Sequence, residues 1–424
     1  IELYHKAIAI DSNFALTYNN LGIAYKYLHH HDAAIKCFKR AIEIDPSYSD
    51  AFSNYGNLHT EMDNYADALK SYECAYELNK SLDYILGNII HTKMHLCVWD
   101  DYVNHLIDLQ AQIKEGIKSI EAFSFMALID NPELQGRVSE IYSTNRFPKS
   151  NTLPDISQHP KHNKIRLGYF SADFREHPVS TLTAGLYESH NREQFEIHAF
   201  SFGPDTQDEM NLRIKSGVDY FHDVQAMSHK DIALLARSLE IDIAIDLGGF
   251  TASGKTDIFA MSAAPIQLSY IGFLGTMGAP YYDYLLADEI TIPKENQQYY
   301  SEKIAYLPIY QVNDSKETPP EIFFTRKDIG LPETGFVFCC FNNTYKITPD
   351  TFDSWMRILK SVESSVLLIY VDLESARENL MNEASLRGID PSRLIFAKRF
   401  EREQYLARYR VVDLFLDTLP YNAA

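Results

Sequence analysis

Cysteine is scarce in this 424-residue chain: Cys37, Cys74, Cys97, Cys339 and Cys340, with no CxxC pair. The odd count and the missing pair indicate neither a disulfide framework nor a zinc site, and they fit a reducing compartment, so a cytoplasmic location is expected, with a nuclear one added if the source is eukaryotic. Positive charge is in deficit as well. Lys+Arg number 39 against 58 Asp+Glu, a net charge of −19. Such a surface repels phosphate backbones and anionic lipid, so no general binding to nucleic acid or membrane is expected, while a local basic pocket for a small anion stays allowed. No apolar stretch reaches roughly 18 residues, so no membrane-spanning helix is expected. No signal peptide is expected from the residues given, but the chain starts at Ile1 and not at Met, and its true N-terminus is expected to lie upstream. What is present is ordinary globular material, 46% hydrophobic and 23% charged, which excludes wholesale disorder. At about 100–200 residues per domain the length allows two to four domains.

The first 88 residues repeat. Ala7, Ala41 and Ala75 recur in one step, as do Ile10, Ile44 and Leu78, and Asp11, Asp45 and Asn79. Ala34 and Ala68, Gly22 and Gly56, and Phe38 and Tyr72 keep the same step, which is the tetratricopeptide period of about 34 residues. Each unit is a helix pair, the small residues allow close helix approach, and Asp45-Pro46 breaks the chain between units. Stacked units extend as a superhelix with a concave groove. Asn20, Asn54 and Asn88 fall in the same step. A row of carboxamides can hydrogen-bond an extended peptide of any sequence, since each offers a donor and an acceptor. The alternative is that these amides only serve contacts between helices. His29, His30 and His31 fall at a turn and are expected to be a solvated loop. Residues 89–163 form a helical cap, opened by Cys97-Val98-Trp99-Asp100-Asp101-Tyr102, and a linker rich in Pro, Ser, Asn and His.

From Lys164 short apolar runs alternate with helical stretches, which argues for a parallel doubly wound sheet. A first series occupies 164–312, with strands expected from Ile165–Ser171 to Ile304–Leu307. A polar, proline-bearing linker spans 313–335. A second series occupies 336–424, from strand Phe336–Phe341 to strand Val411–Leu416, and it is incomplete. Paired sheets of this kind bind nucleotides outside the carboxyl ends of their strands. Gly249-Phe250-Thr251-Ala252-Ser253-Gly254-Lys255-Thr256 also matches G-x-x-x-x-G-K-[ST], the phosphate loop of ATPases. It sits late in its series, and no compelling Walker-B strand follows it.

The ordered set of motifs is more specific than that loop. Leu167-Gly168-Tyr169-Phe170-Ser171-Ala172-Asp173-Phe174, His177-Pro178, Ala264-Pro265-Ile266-Gln267, Gly272-Phe273-Leu274-Gly275-Thr276, Tyr300-Ser301-Glu302-Lys303, Phe341-Asn342-Asn343-Thr344-Tyr345-Lys346-Ile347 and Leu416-Asp417-Thr418 follow the repeats in order. Together they resemble the O-GlcNAc transferase family, inverting glycosyltransferases that use no metal. The resemblance implies a tetratricopeptide solenoid followed by GT-B architecture, two Rossmann-like lobes with the second truncated here. It implies transfer of GlcNAc from UDP-GlcNAc to Ser and Thr hydroxyls of proteins, with polypeptide in the repeat groove and no cofactor. The SPINDLY-like branch, a fucosyl transferase using GDP-fucose, shares the architecture and stays an alternative. A third reading is a non-catalytic repeat scaffold, and the repeats could also serve oligomerisation.

No Asp-x-Asp pair for a metal occurs in the chain. A departing diphosphate must then be met by a Lys or Arg and by backbone N–H groups. The resemblance assigns that role to Lys346 and base recognition to Asn343, with Tyr345 beside them. Arg402 and Arg408 match basic positions near the nucleotide. Asp173 and His177 match the family's active-site pair on the first lobe, and which of them is the general base is left open. Gly272, Gly275 and Thr276 are expected to let backbone approach the sugar nucleotide. The family continues beyond Leu416-Asp417-Thr418 with a further diphosphate-gripping loop. The chain as given is therefore expected to be a fragment at both ends, with little or no turnover alone.

Overall fold

The computed structural model describes residues 1–311 and 314–423. Val312 and Asn313, where the first lobe is expected to give way to the linker, and Ala424 lie outside the described residues. The chain forms two compact units. One comprises Ile1–Ile120, Ser124–Asp130 and Pro319–Ala424; the other comprises Glu121–Phe123 and Asn131–Thr318.

The repeats fold as paired helices, Ala15–Tyr27 with His31–Ile44 and Ser49–Glu61 with Tyr65–Leu78, preceded by Glu2–Ile10 and followed by Ile85–His95. The repeated small residues act as contact points. A Cβ on Gly22 would lie 2.8 Å from the Phe38 ring, and one on Gly56 would lie 2.6 Å from the Tyr72 ring. Ala34, Ala41, Ala68 and Ala75 are fully buried. Between units Asp45 leaves the helix in an extended conformation, and its carboxylate accepts from Ser47 N at 2.9 Å and Ser47 Oγ at 2.7 Å. His29 and His30 are exposed at the turn, as expected, and His31 opens the next helix. His29 Nδ1 and His31 Nε2 both approach Glu61 Oε1, at 3.4 and 3.2 Å, because Glu61 on the next repeat helix draws both rings. The last repeat helix packs on an irregular strand of chain: Gly87 N donates to Ser119 O at 2.8 Å, and a Cβ on Gly87 would lie 2.6 Å from Ile120.

The second unit is built on a parallel sheet with strands β1 (Ile165–Ser171), β2 (Phe195–Ser201), β3 (Tyr220–Asp223), β4 (Ile243–Asp246), β5 (Ile266–Ser269), β6 (Tyr284–Ala287) and β7 (Lys303–Tyr306). Their order is β3-β2-β1-β4-β5-β6-β7, so the direction of winding reverses between β1 and β4. Ligands bind at such a reversal, outside the carboxyl ends of the strands. β1 is buried along most of its length and pairs with β2 and β4, as a central parallel strand requires.

The remaining strands belong to the same unit as the repeats: β8 (Val337–Cys340), β9 (Val366–Tyr370), β10 (Leu394–Ala397) and β11 (Leu414–Phe415), in the order β10-β9-β8-β11. Here the reversal falls between β8 and β11. Helix Pro349–Ser361 buries Phe352, Trp355, Met356 and Leu359 against Leu367 and Ile369 of β9. Cys97 is part of this core, and Trp99 lies 5.4 Å from the Phe352 ring. Asn379 Nδ2 donates to Leu96 O at 2.8 Å. The segment that caps the repeats is thereby welded to strands that come far later in sequence.

Candidate active site

At the carboxyl end of β8 the chain runs through Phe341, Asn342 and Asn343 into a 3-10 turn, Thr344–Lys346. The turn is anchored on two sides. Asn342 Nδ2 donates to Asp417 Oδ1 at 3.0 Å and to Thr418 Oγ1 at 2.7 Å, joining the loops after β8 and β11. Thr344 Oγ1 donates to His95 O at 2.8 Å, and Tyr345 packs on the His91 and His95 rings at 5.2 and 5.0 Å. Lys346, 9% exposed, is held between these anchors. Its Nζ donates to Asn422 O at 3.0 Å and lies 3.7 Å from the Tyr421 ring centre. Burial lowers its pKa from the usual lysine value, against an opposing pull from Asp417.

The loops after β8, β9 and β10 surround a cavity of about 510 Å³. Asn343, Tyr370, Asp372, Arg399, Phe400 and Arg408 are among its walls, and Asp63, Tyr65 and His95 of the repeats complete it. Arg408 is 2% exposed, with its guanidinium 3.5 Å over the Phe341 ring and 4.4 Å over that of Tyr405. Its Nε is buried without a hydrogen-bond partner, and burial lowers its pKa. Among the described residues, neither Lys346 nor Arg408 is ion-paired to a carboxylate. A desolvated cation with no counter-charge is costly, and an anionic ligand relieves that cost.

The other unit carries a different group. After β1, Asp173 N donates to Ser171 Oγ at 2.9 Å, and the Asp173 carbonyl accepts from Ser180 Oγ. The Asp173 carboxylate faces Arg175 at 3.3 Å and His177 Nδ1 at 3.7 Å. His177 caps helix Pro178–Ser189, its Nδ1 accepting from Val179 N at 3.3 Å. Burial lowers the His177 pKa from 6.5, opposed by Asp173 and reinforced by Arg175. With Nδ1 accepting, a neutral ring carries its proton on Nε2, so its outer edge is a hydrogen-bond donor. A base role needs the other tautomer, with Nδ1–H turned to Asp173 and the Val179 contact given up.

The remaining residues singled out from sequence divide sharply. Asn343 and Arg408 share the cavity wall, and Lys346 and Tyr345 sit in the turn beside it, whereas Arg402 is exposed at the start of helix Arg402–Ala407 and is not part of that wall. Gly272 and Thr276 do not offer free backbone or hydroxyl. A Cβ on Gly272 would lie 1.9 Å from Leu247 O, so the close approach there is to the chain itself. Thr276 Oγ1 donates to buried Glu302 Oε2 at 2.6 Å, and Met277 N donates to Oε1 at 2.6 Å. Gly275, in the same loop, is buried. In the repeats, Asn54 Nδ2 donates to Asn19 Oδ1 at 3.0 Å, and Asn19 Nδ2 to Asn20 Oδ1 at 3.4 Å. Asn20 and Asn54 thus belong to one amide chain between helices, and half-buried Asn88 stands outside it. In the loop that matches a phosphate loop, Gly248 N and Gly249 N donate to Asp246 Oδ1 at 2.9 and 3.0 Å. A buried carboxyl group holds the amides at the entrance to that loop, and Gly254 N is turned to Thr251 O at 2.9 Å.

Repeats joined to two parallel sheets, each open at a winding reversal, define the tetratricopeptide-linked class of GT-B-like glycosyltransferases. The chain belongs to glycosyl transferase family 41, whose sequence profile matches residues 147–317 and 309–423. Tetratricopeptide profiles match residues 15–48 and 37–70. Among similar proteins, the probable UDP-N-acetylglucosamine–peptide N-acetylglucosaminyltransferase SEC of Arabidopsis thaliana is 33% identical over 78% of this chain and 36% of its own. The UDP-N-acetylglucosamine–peptide N-acetylglucosaminyltransferase of Caenorhabditis elegans is 24% identical, over 60% of this chain and 32% of its own. The rice protein of the same probable activity named SPINDLY is 28% identical over 63% and 29%. The chain spans about a third of the length of these curated relatives. A solved mutant of the Thermobaculum terrenum O-GlcNAc transferase shares the fold, with a TM-score of 0.73 at 22% identity over 97% of this chain and 79% of that one.

Proposed function

We propose that this chain transfers N-acetylglucosamine from UDP-N-acetylglucosamine to Ser or Thr hydroxyls of proteins, with inversion and without a metal. The observation that carries the reading is the pair of buried, carboxylate-free cations at the carboxyl edge of the second sheet, Lys346 and Arg408. When the bond from sugar C1 to the diphosphate oxygen breaks, negative charge gathers on the leaving group. An ammonium and a guanidinium already stripped of water stabilise that charge more in the transition state than in the ground state. Asn343 offers the base an amide, and Phe400 and Tyr405 offer it apolar walls. The acceptor hydroxyl attacks C1 from the opposite face. His177 Nε2–H donates to sugar or acceptor oxygen, and Asp173 orients that ring or takes the proton. The repeat groove admits extended polypeptide, with the Asn20–Asn54 amide chain as its polar contact.

The printed activities of the relatives, the SPINDLY-named ones included, support this donor, and GDP-fucose is kept as a second reading from the resemblance to the SPINDLY-like branch. Labelling of a protein lysate by the full-length protein, with an azido-sugar form of each donor, tests both. Transfer from the UDP-GlcNAc analogue alone, lost in Lys346→Ala, is the expected result. Transfer from the GDP-fucose analogue alone overturns the donor assignment, and transfer undiminished in Lys346→Ala overturns the site.

A further inference from the structure

A second constellation lies far in sequence from those cations. His159 and His162 come from the Pro- and His-rich segment before β1, and Asp242 immediately precedes β4. Their imidazole and carboxylate ligand atoms all lie within 4.8 Å of one another. His159 Nε2 and Asp242 Oδ1 are 2.8 Å apart. The other carboxylate oxygen, Asp242 Oδ2, accepts from Arg166 N at 2.7 Å, which fixes the orientation of the group and leaves Oδ1 pointing at the imidazoles. His162 Nε2 is buried without a hydrogen-bond partner, and the closest opposite charge is Glu240 Oε2 at 3.5 Å. Arg166 Nη1 holds that Glu240 oxygen at 2.9 Å.

We infer that His159, His162 and Asp242 form a binding site for a zinc-class divalent metal that pins the segment before β1 to the edge of the first sheet. Two imidazoles and one carboxylate are the nitrogen and oxygen donors that Zn²⁺ prefers, at bond lengths of about 2.0–2.2 Å. His159 and His162 lie three residues apart on an irregular segment, and their rings stand at 88° with centres 5.8 Å apart, edge to face and not stacked. Hydrogen-bonding of the carboxylate's second oxygen to backbone is the outer-shell support that metal-ligating carboxylates use. Metal at this place ligates His162 Nε2, the buried nitrogen of the cluster that has no hydrogen-bond partner among the described residues. Glu240 is the fourth ligand only if it leaves Arg166. The site is structural and separate from sugar transfer, whose residues it does not include.

The test is a Co²⁺ titration of the full, tag-free chain, followed by visible absorption and by thermal unfolding with Zn²⁺. The expected result is one equivalent of Co²⁺ with tetrahedral absorption bands, displaced by Zn²⁺, and a melting midpoint that rises with Zn²⁺ concentration. His162→Gln and Asp242→Asn, checked for folding by circular dichroism, should each weaken binding by about a hundredfold or more. His29→Ala/His31→Ala should leave it unchanged, because His29, His31 and Glu61 form a separate, more exposed cluster with Lys26 Nζ 3.5 Å from Glu61. Absence of tetrahedral bands, or equal binding in folded His162→Gln, overturns the proposal. Loss of binding in the His29/His31 variant overturns the choice of site.

Discussion

The two sheets share a topology and differ in what they present. In each, a central strand is flanked by the strand that reverses the winding, β1 by β4 and β8 by β11. At the first edge the loop after β4 spends its amides on Asp246, and the loop after β1 offers a carboxylate and a neutral imidazole. At the second edge the loops close on Lys346 and Arg408, desolvated and lacking carboxylate partners. Topology thus gives both edges a mouth, and side-chain charge decides which of them suits an anion. The short match to a phosphate loop lies on the edge where Asp246 takes the first amides of the loop.

Four outcomes would break or sharpen that contrast. The largest expected effect is on Lys346→Ala, which should lower sugar transfer by about 10²–10³-fold. Lys255→Ala, at the first edge, should leave UDP affinity unchanged, since its ammonium lies over the Phe202 ring. Equal losses in the two variants would erase the contrast. Next, Gly272→Ala should destabilise the first lobe by more than about 3 kcal/mol in urea unfolding, because the new Cβ meets the Leu247 carbonyl. A stable variant with impaired donor binding would return Gly272 to the site. Third, Thr276→Val removes a donor from buried Glu302 and should cost about 1–3 kcal/mol of stability, with donor affinity retained.

The smallest effect is on pH. The His177 pKa is lowered in the fold, so the folded state binds fewer protons than the unfolded chain between the folded value and 6.5. Its contribution to stability is complete above 6.5 and is lost as pH falls below it. His177→Gln should flatten the stability profile over that window, and the acid limb of kcat/KM should fall below the ordinary histidine range. An acid limb at or above 6.5 would contradict the burial of this ring.

Much of this was legible in the sequence because local rules carried it. The step from Gly22 to Gly56 reports a ring lying on each helix, and the structure supplies the rings, Phe38 and Tyr72. The motifs around Asn342 and Asp417 meet because both follow strands that are neighbours in one parallel sheet. Residues just after β9 and β10 could have been found by the same rule: Asp372, Arg399 and Phe400 fall at that edge as well. Other features had no local signal. Asp63, Tyr65 and His95 reach the cavity through packing between the repeats and a lobe that begins more than two hundred residues later. Gly272 and Thr276 were ambiguous in sequence because a glycine or a hydroxyl in a loop looks the same whether it faces a ligand or its own chain, which both contact here. Search for cysteine spacing passed over His159 and His162, since their third partner, Asp242, comes from another strand edge.

Everything proposed for the second edge depends on Lys346 meeting a diphosphate. Calorimetry of UDP and of uridine with the wild-type chain and with Lys346→Ala tests it most directly. The variant should lose about tenfold or more in affinity for UDP, the worth of a charge-assisted hydrogen bond, and nothing for uridine. Unchanged UDP affinity in a folded Lys346→Ala chain would contradict it.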